Sequence, residues 1–346
     1  MDRTETKMAI ECGWMLAKFP SISLAHSLYN LMSGFGKAAE VFPMICGWTE
    51  AHKEDLSPKL VHHYTDMNGI DGIIFKPIDF SKTLIPGIFK HMNSTNMFAM
   101  GVKKIGSSND PSEGGILCDR LFRNVTSDLH KKELITSEFE QLIEAITSRV
   151  DTIYSQWSDV VEYMACFSEE RDFLPLWGRY ADDGTGVSLG FDFREMGLLF
   201  PLLYSRAEQL YCIYKACKEM HAIFEKEYAS NSKEVERAIV ALFELFSGRF
   251  KSESYSYEKE WRLRINNTGK EYDKMICDGR LLVALPKYCL KEVILCPNTP
   301  TATMDELSKK LQIAGYHCKV LISDIPYISK KKHCLKNHAT WCGEDT

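Results

Sequence analysis

The sequence predicts an α+β fold, and three observations predict it. Short runs rich in β-branched and aromatic residues recur along the chain, at Lys59–Thr65, Tyr163–Ser168, Gly186–Phe191, Leu281–Pro286, Glu292–Cys296 and Cys318–Ile322; their length and content are those of strands. Two other segments, opening at Thr136 and at Lys233, repeat their apolar residues at helical spacing,. Neither a P-loop nor a Rossmann glycine fingerprint occurs, so the common nucleotide-binding α/β signatures are absent.

The centre of the chain is Met164–Phe193. Tyr163–Ser168 reads as a buried strand, and the charges of Glu169–Asp172 suit a turn. Leu174–Ala181 reads as a short helix, with Leu174, Trp177 and Ala181 on one face,. Pro175 fits its first turn, where a missing N–H costs nothing. Asp182-Asp183-Gly184 ends it, with Gly184 placed as a left-handed C-cap. Gly186–Phe191 resumes as a strand. Phe167, Trp177, Tyr180 and Phe191 are expected to converge there into a flat-walled pocket for an aromatic ring.

A chain of 346 residues can bury a full core in one large domain or two smaller ones,. Its 45% hydrophobic and 26% charged content is ordinary for a globular protein,. A net charge of −5 gives no global basic footprint for nucleic acid,. Twelve cysteines beside an N-terminus bearing Asp2, Arg3, Glu5, Lys7 and Glu11 point to reduced thiols in the cytoplasm rather than to secretion,. No run has the ~18–20 apolar residues of a membrane helix.

Residues 1–55 read as a helical N-terminal extension, two short helices split by Pro20. Lys59–Thr65 is followed by Asp66–Ile74, a helix candidate capped by Thr65 or Asp66,. His63, Tyr64 and Thr65 thus sit at a strand end before a helix N-terminus, where His63 is either structural or a ligand contact. Ser107–Gly114 is a turn whose Asn109 and Asp110 can cap backbone groups,. After it, Ser137 and Glu140 have the spacing of a capping box. Phe139, Leu142, Ile143, Ile146, Val150, Ile153, Trp157 and Val160 then form one apolar stripe,.

Leu202–Glu227 leans to helix, with a strand candidate at Leu210–Tyr214, and Ser230-Asn231-Ser232 punctuates it. In the next strand candidate, Glu258, Glu260, Arg262 and Arg264 share one face and Tyr257, Trp261, Leu263 and Ile265 the other,. The charged face is either a solvated ion-pair ladder or the floor of an active site. Met304–Ala314 reads as a helix stopped by Gly315, and residues 329–346 as a polar tail. His333, Cys334, His338 and Cys342 in that tail are zinc-ligand types without the paired Cys-x2-Cys spacing, and no metal is expected,.

Four pieces in order carry a resemblance: His63-Tyr64-Thr65; Asn109-Asp110-Pro111 with Glu113; Cys166-Phe167-Ser168 through Leu176-Trp177 and Tyr180-Ala181 to Phe191; and Glu258-Lys259-Glu260-Trp261-Arg262. Together they resemble a widespread bacterial family catalogued as a domain of unknown function. That family in turn resembles the H-Y-E class of the ADP-ribosyltransferase superfamily. The resemblance implies a split mixed β-sheet with flanking helices over residues 56–328, and an NAD-dependent mono-ADP-ribosyltransferase of toxin or antiphage-defence type. NAD is then the substrate, the acceptor is a protein or nucleic acid, an antitoxin or regulatory partner fits the toxin type, and no membrane is involved.

Carried over residue by residue, the resemblance gives His63, with Tyr64 and Thr65, to the NAD ribose. It places Tyr180 on the nicotinamide with Phe167, Ser168 and Trp177 around it, and Arg262 on the pyrophosphate or on a glutamate. It makes Glu260 or Glu258 the catalytic carboxylate. Phe167 departs from the pattern, because a tyrosine is usual there. Breaking the nicotinamide–ribose bond passes through an oxocarbenium-like state, which a carboxylate stabilises, and a cationic nicotinamide favours an electron-rich ring. Two rival functions stay open: a non-catalytic module binding a nucleotide or nucleic-acid end on the same fold, and an RNA 2′-phosphotransferase-like enzyme.

Overall fold

The computed structural model describes residues 60–85, 90–104, 115–148, 161–193, 199–267, 275–277, 279–297 and 299–326. The expected N-terminal extension, the turn with Asn109, Asp110 and Glu113, the stripe from Val150 to Val160, and the tail with His333 and Cys342 lie outside them.

In chain order the strands are β1 Val61–Thr65, β2 Met97–Lys104, β3 Val161–Ser168, β4 Val187–Phe191, β5 Leu199–Pro201, β6 Glu260–Asn267, β7 Ile276–Cys277, β8 Arg280–Pro286, β9 Leu290–Leu295 and β10 Lys319–Ile322. The helices are α1 Met67–Ile70, α2 Gly115–Lys131, α3 Ser137–Ser148, α4 Leu174–Tyr180, α5 Arg206–Ser247 and α6 Thr301–Ile313. The architecture is α+β, a mixed, mostly antiparallel sheet flanked by helices. No helix among the described residues is long and apolar enough to cross a membrane.

The chain divides into two units. One, here the helical unit, takes the described residues of Lys103–Met164 and Gly197–Lys270. Its core joins α2, α3 and α5 through Leu121, Phe122, Phe139, Ile143, Ile213 and Phe243, all buried. The helix at Ser137 starts one residue earlier than the capping-box spacing suggests. The hydroxyl of Thr136, not Ser137, accepts the Phe139 N–H at 3.4 Å, and the Thr136 N–H donates to His221 Nε2 at 3.0 Å. The strand expected at Leu210–Tyr214 is helix: Cys212, Ile213, Ala216, Cys217 and Met220 are buried at helical spacing inside α5. Helical period outweighs the local aromatic content. The punctuation at Asn231 is a break in α5, with φ −135° and ψ 41°. Strand β5 pairs antiparallel with β6, Phe200 opposite Arg262.

The second, the sheet unit, takes Pro58–Val102, Ala165–Met196 and the described residues after 271. Within it β1 and β4 pair antiparallel, as do β4 and β9, and β10 runs parallel to β9. The parallel pair is joined by α6, the crossover that parallel strands require,. Opposed residues share a face. One face therefore shows His63, Leu189 and Val293, and the other shows His62, Tyr64, Ser188, Gly190, Glu292 and Ile294.

Those two faces separate the aromatic residues that the sequence reading gathers into one pocket. Phe167 contacts His63, Phe191 and Phe193 at ring centroid distances of 5.6, 5.9 and 5.3 Å. Trp177 is on the other side, edge-on to Tyr64 at 5.5 Å and packed with Leu176, Ala181 and Ile294. The helix α4 also buries Leu176 in place of Leu174, which is 43% exposed. A strand's alternation puts Tyr64 and Phe167 on opposite faces, so one pocket cannot hold both sets of rings.

Candidate functional site

The helical unit carries a buried cluster of charges on either side of the start of β6. The residues Glu253–Glu258 form a 3-10 turn, and Lys259 then adopts a left-handed conformation at φ 40° before the strand opens at Glu260. That conformation is uncommon outside glycine. Glu258 is thus off the strand, and its approach to Glu260 comes from the turn rather than from strand alternation. Lys251 Nζ lies 2.5 Å from Glu258 Oε2 and 2.6 Å from Glu260 Oε2. Arg262 Nε lies 2.6 Å from Glu260 Oε1, and its terminal N–H donates to the Gly248 carbonyl at 3.2 Å.

All four charged side chains are at most 5% exposed. The solvated ion-pair ladder is therefore excluded for Glu258, Glu260 and Arg262. Two carboxylates and two cations balance, as burial demands. Burial alone draws the Lys251 ammonium toward its neutral form, but the carboxylates of Glu260 and Glu258 outweigh it and hold its pKa well above the lysine range. The Tyr204 hydroxyl accepts the Glu260 N–H at 2.9 Å. Burial, and then the Glu260 charge, push its pKa up. Gln209 ties the same segment by donating to the carbonyls of Leu203 and Lys251 at 2.6 and 2.9 Å. Lys251, Tyr204 and Gln209 are absent from the sequence-based site. A lysine just past a long helix reads as a C-terminal dipole partner, and nothing in the sequence marks this one as buried.

The sheet unit carries the other expected residues. His63 is half-buried, with Nδ1 2.8 Å from the Cys166 carbonyl. A carbonyl only accepts, so Nδ1 bears the proton in the neutral ring and Nε2 is the acceptor. Thr65 ends β1, and Asp66 caps α1 by accepting the Gly69 N–H at 2.6 Å. A Cβ on Gly69 would fall 1.9 Å from Thr65 Oγ1, so only glycine lets the turn lie against that hydroxyl.

Tyr64, Phe167, Ser168 and Trp177 are buried. The Tyr64 hydroxyl donates to the Glu170 carbonyl at 2.9 Å and accepts the Phe173 N–H at 3.2 Å. Ser168 Oγ accepts the Glu170 N–H, and Trp177 Nε1 donates to Asp172 Oδ1 at 2.6 Å. Tyr64, Ser168 and Trp177 thus fasten the 168–173 turn. Tyr180, at the end of α4, is 36% exposed, with the Arg179 guanidinium 5.9 Å from its ring centre. His63, Thr65 and Tyr180 are therefore the residues of this group with surface to offer a ligand.

The sequence-based site thus falls into two sets. Glu258, Glu260 and Arg262 come together in the helical unit, and His63 through Tyr180 belong to the sheet unit. Residues 176–263, from α4 through Glu258, Glu260 and Arg262, match the family model described as protein of unknown function (DUF2971). No curated protein and no solved structure matches the chain.

Proposed function

We propose that this protein is an NAD-dependent mono-ADP-ribosyltransferase of toxin or defence type, modifying a protein or nucleic-acid acceptor in the cytoplasm. The observation that carries the reading is the convergence of Glu258 and Glu260 on a single ammonium, 2.5 and 2.6 Å away. A pair of carboxylates arranged around positive charge is what an oxocarbenium-like state calls for. In the proposed reaction the nicotinamide–ribose bond breaks and its electron pair neutralises the nicotinamide nitrogen. An acceptor heteroatom then bonds to the ribose carbon and gives up its proton. The resemblance assigns the developing charge to Glu260 or Glu258, ribose to His63 and nicotinamide to Tyr180. The tautomer of His63, with its proton on Nδ1, and the exposure of Tyr180 support those assignments.

A second reading has its own observation. Both Glu260 oxygens already accept from cations of the chain, Lys251 and Arg262, which suits a module that binds a nucleotide or a nucleic-acid end without turnover. Nicotinamide release from NAD separates the two. The transferase reading expects release by the wild type, loss of at least about 100-fold in Glu260→Gln, and a readout from Glu258→Gln that says which carboxylate acts. Binding of NAD without release by the wild type selects the second reading.

A further inference from the structure

We propose that Lys251 is a positioning residue of the candidate site, a buried clamp that holds Glu258 and Glu260 converged and ionised together. The inference rests on the transferase reading for its role in turnover, but its physical content can be tested apart from it. Lys251 is 1% exposed, and its ammonium bridges one oxygen of each carboxylate. Among the described residues, the groups facing this cluster include Arg262 on the other Glu260 oxygen, the Tyr204 hydroxyl at the Glu260 N–H, and the Tyr255 ring centre 5.1 Å from the ammonium. Two carboxylates drawn to one point repel, and in a buried site one of such a pair takes up a proton unless a cation intervenes. Arg262 holds one oxygen of Glu260, and the hydrogen bonds and ion pairs of Lys251 reach both carboxylates.

A purely structural ion pair would serve as well with one carboxylate. Here the chain adopts a left-handed turn at Lys259, a conformation costly for a side-chain-bearing residue, between two glutamates that share one partner. Strain of that kind persists where the surroundings over-determine it, and it gathers at functional sites.

The test is a 13C-carboxyl NMR titration of Glu-labelled full-length protein, with Glu258 and Glu260 assigned through their Gln variants. Nicotinamide release from NAD is followed over the same pH range. In Lys251→Met one of the two carboxyl midpoints should rise by about two pH units or more, and the acid limb of the release profile should move with it. Lys251→Arg should restore the wild-type midpoints, as it restores the charge. Should Lys251→Met fail to fold, the charge-balanced Lys251→Met/Glu258→Gln variant serves in its place: with the second carboxylate gone and Arg262 still on Glu260, that carboxyl should titrate near its wild-type midpoint. Unchanged midpoints in Lys251→Met, or a raised Glu260 midpoint in the balanced variant, would overturn the clamp. A raised midpoint in Lys251→Met together with a wild type that never releases nicotinamide would leave the clamp standing and remove the transferase reading.

Discussion

The Glu292 carboxylate lies 3.7 Å from Nε2 of His62, yet His62 is held neutral. Burial pulls the His62 pKa from 6.5 down to about 4; Glu292 and Asp172 oppose the shift and Arg171 adds to it. Arg171 in turn grips Glu292, with Nε 2.7 Å from Oε1 and a second N–H 3.2 Å from Oε2. His62 Nδ1 lies 3.2 Å from Ser188 Oγ. The unfolded chain takes up a proton at His62 below pH 6.5 and the folded chain only near pH 4. The neutral histidine therefore adds stability above pH 6.5, and that contribution is lost as pH falls through the window from 6.5 to about 4,. Denaturant titrations at pH 7.5 and 4.5 should differ by an amount on the order of 3 kcal/mol from this group. In His62→Gln the part of the pH dependence between these values should shrink accordingly.

Gly190 is the place where this pair crosses the strand. A Cβ there would sit 2.7 Å from Glu292 Cγ and 2.8 Å from His62 Cε1. Both neighbours are buried and bonded, so neither can swing away. Gly190→Ala should destabilise by about 1–3 kcal/mol. Gly178→Ala in α4 meets nothing within 4 Å and should stabilise by about 0.5–1 kcal/mol. Urea unfolding of the two variants beside the wild type checks both signs at once.

Lys259 tests the turn that brings Glu258 to Glu260. Its φ of 40° suits glycine and strains a β-branched side chain,. Lys259→Gly should leave stability within about 1 kcal/mol of the wild type, the relief of strain offsetting the freer unfolded chain. Lys259→Val should destabilise by more than about 1 kcal/mol. Equal effects of the two in thermal unfolding would mean that the turn conformation is not what holds the pair.

Much of the sheet is legible in the sequence because buried strands write themselves as β-branched runs: β1, β3, β4, β8, β9 and β10 fall within a few residues of their expected places. The elements that mislead are those where two periods compete. Tyr211, Ile213 and Tyr214 look like a strand, yet α5 buries Cys212, Ile213, Ala216 and Cys217 together. The expected site fares unevenly for a related reason. Glutamates at i and i+2 announce a shared strand face, but Lys259 breaks the strand between them, and burial of the lysine partner seven and nine positions away depends on tertiary packing. Likewise the charges of Glu169–Asp172 read simply as a turn. In the fold, Arg171 and Asp172 are spent on Glu292, Trp177 and Ser323.

Tyr180 separates ligand contact from fold. At 36% exposure in the last turn of α4, it packs less than the buried Phe167 and Trp177. Tyr180→Ala should cost about 1 kcal/mol of stability. If its ring stacks on nicotinamide, the same substitution should raise the KM for NAD about tenfold, and Tyr180→Phe should recover most of the loss. Steady-state nicotinamide release, read beside a melting curve, checks the two halves.

The most direct test of the central claim is incubation of the purified protein with NAD labelled in its adenylate, in a cell lysate that retains nucleic acid, beside the Glu260→Gln variant. The account predicts label covalently attached to a macromolecule by the wild type alone, with protease or nuclease sensitivity naming the acceptor class. No transfer by the wild type, together with no NAD binding by calorimetry, would contradict it.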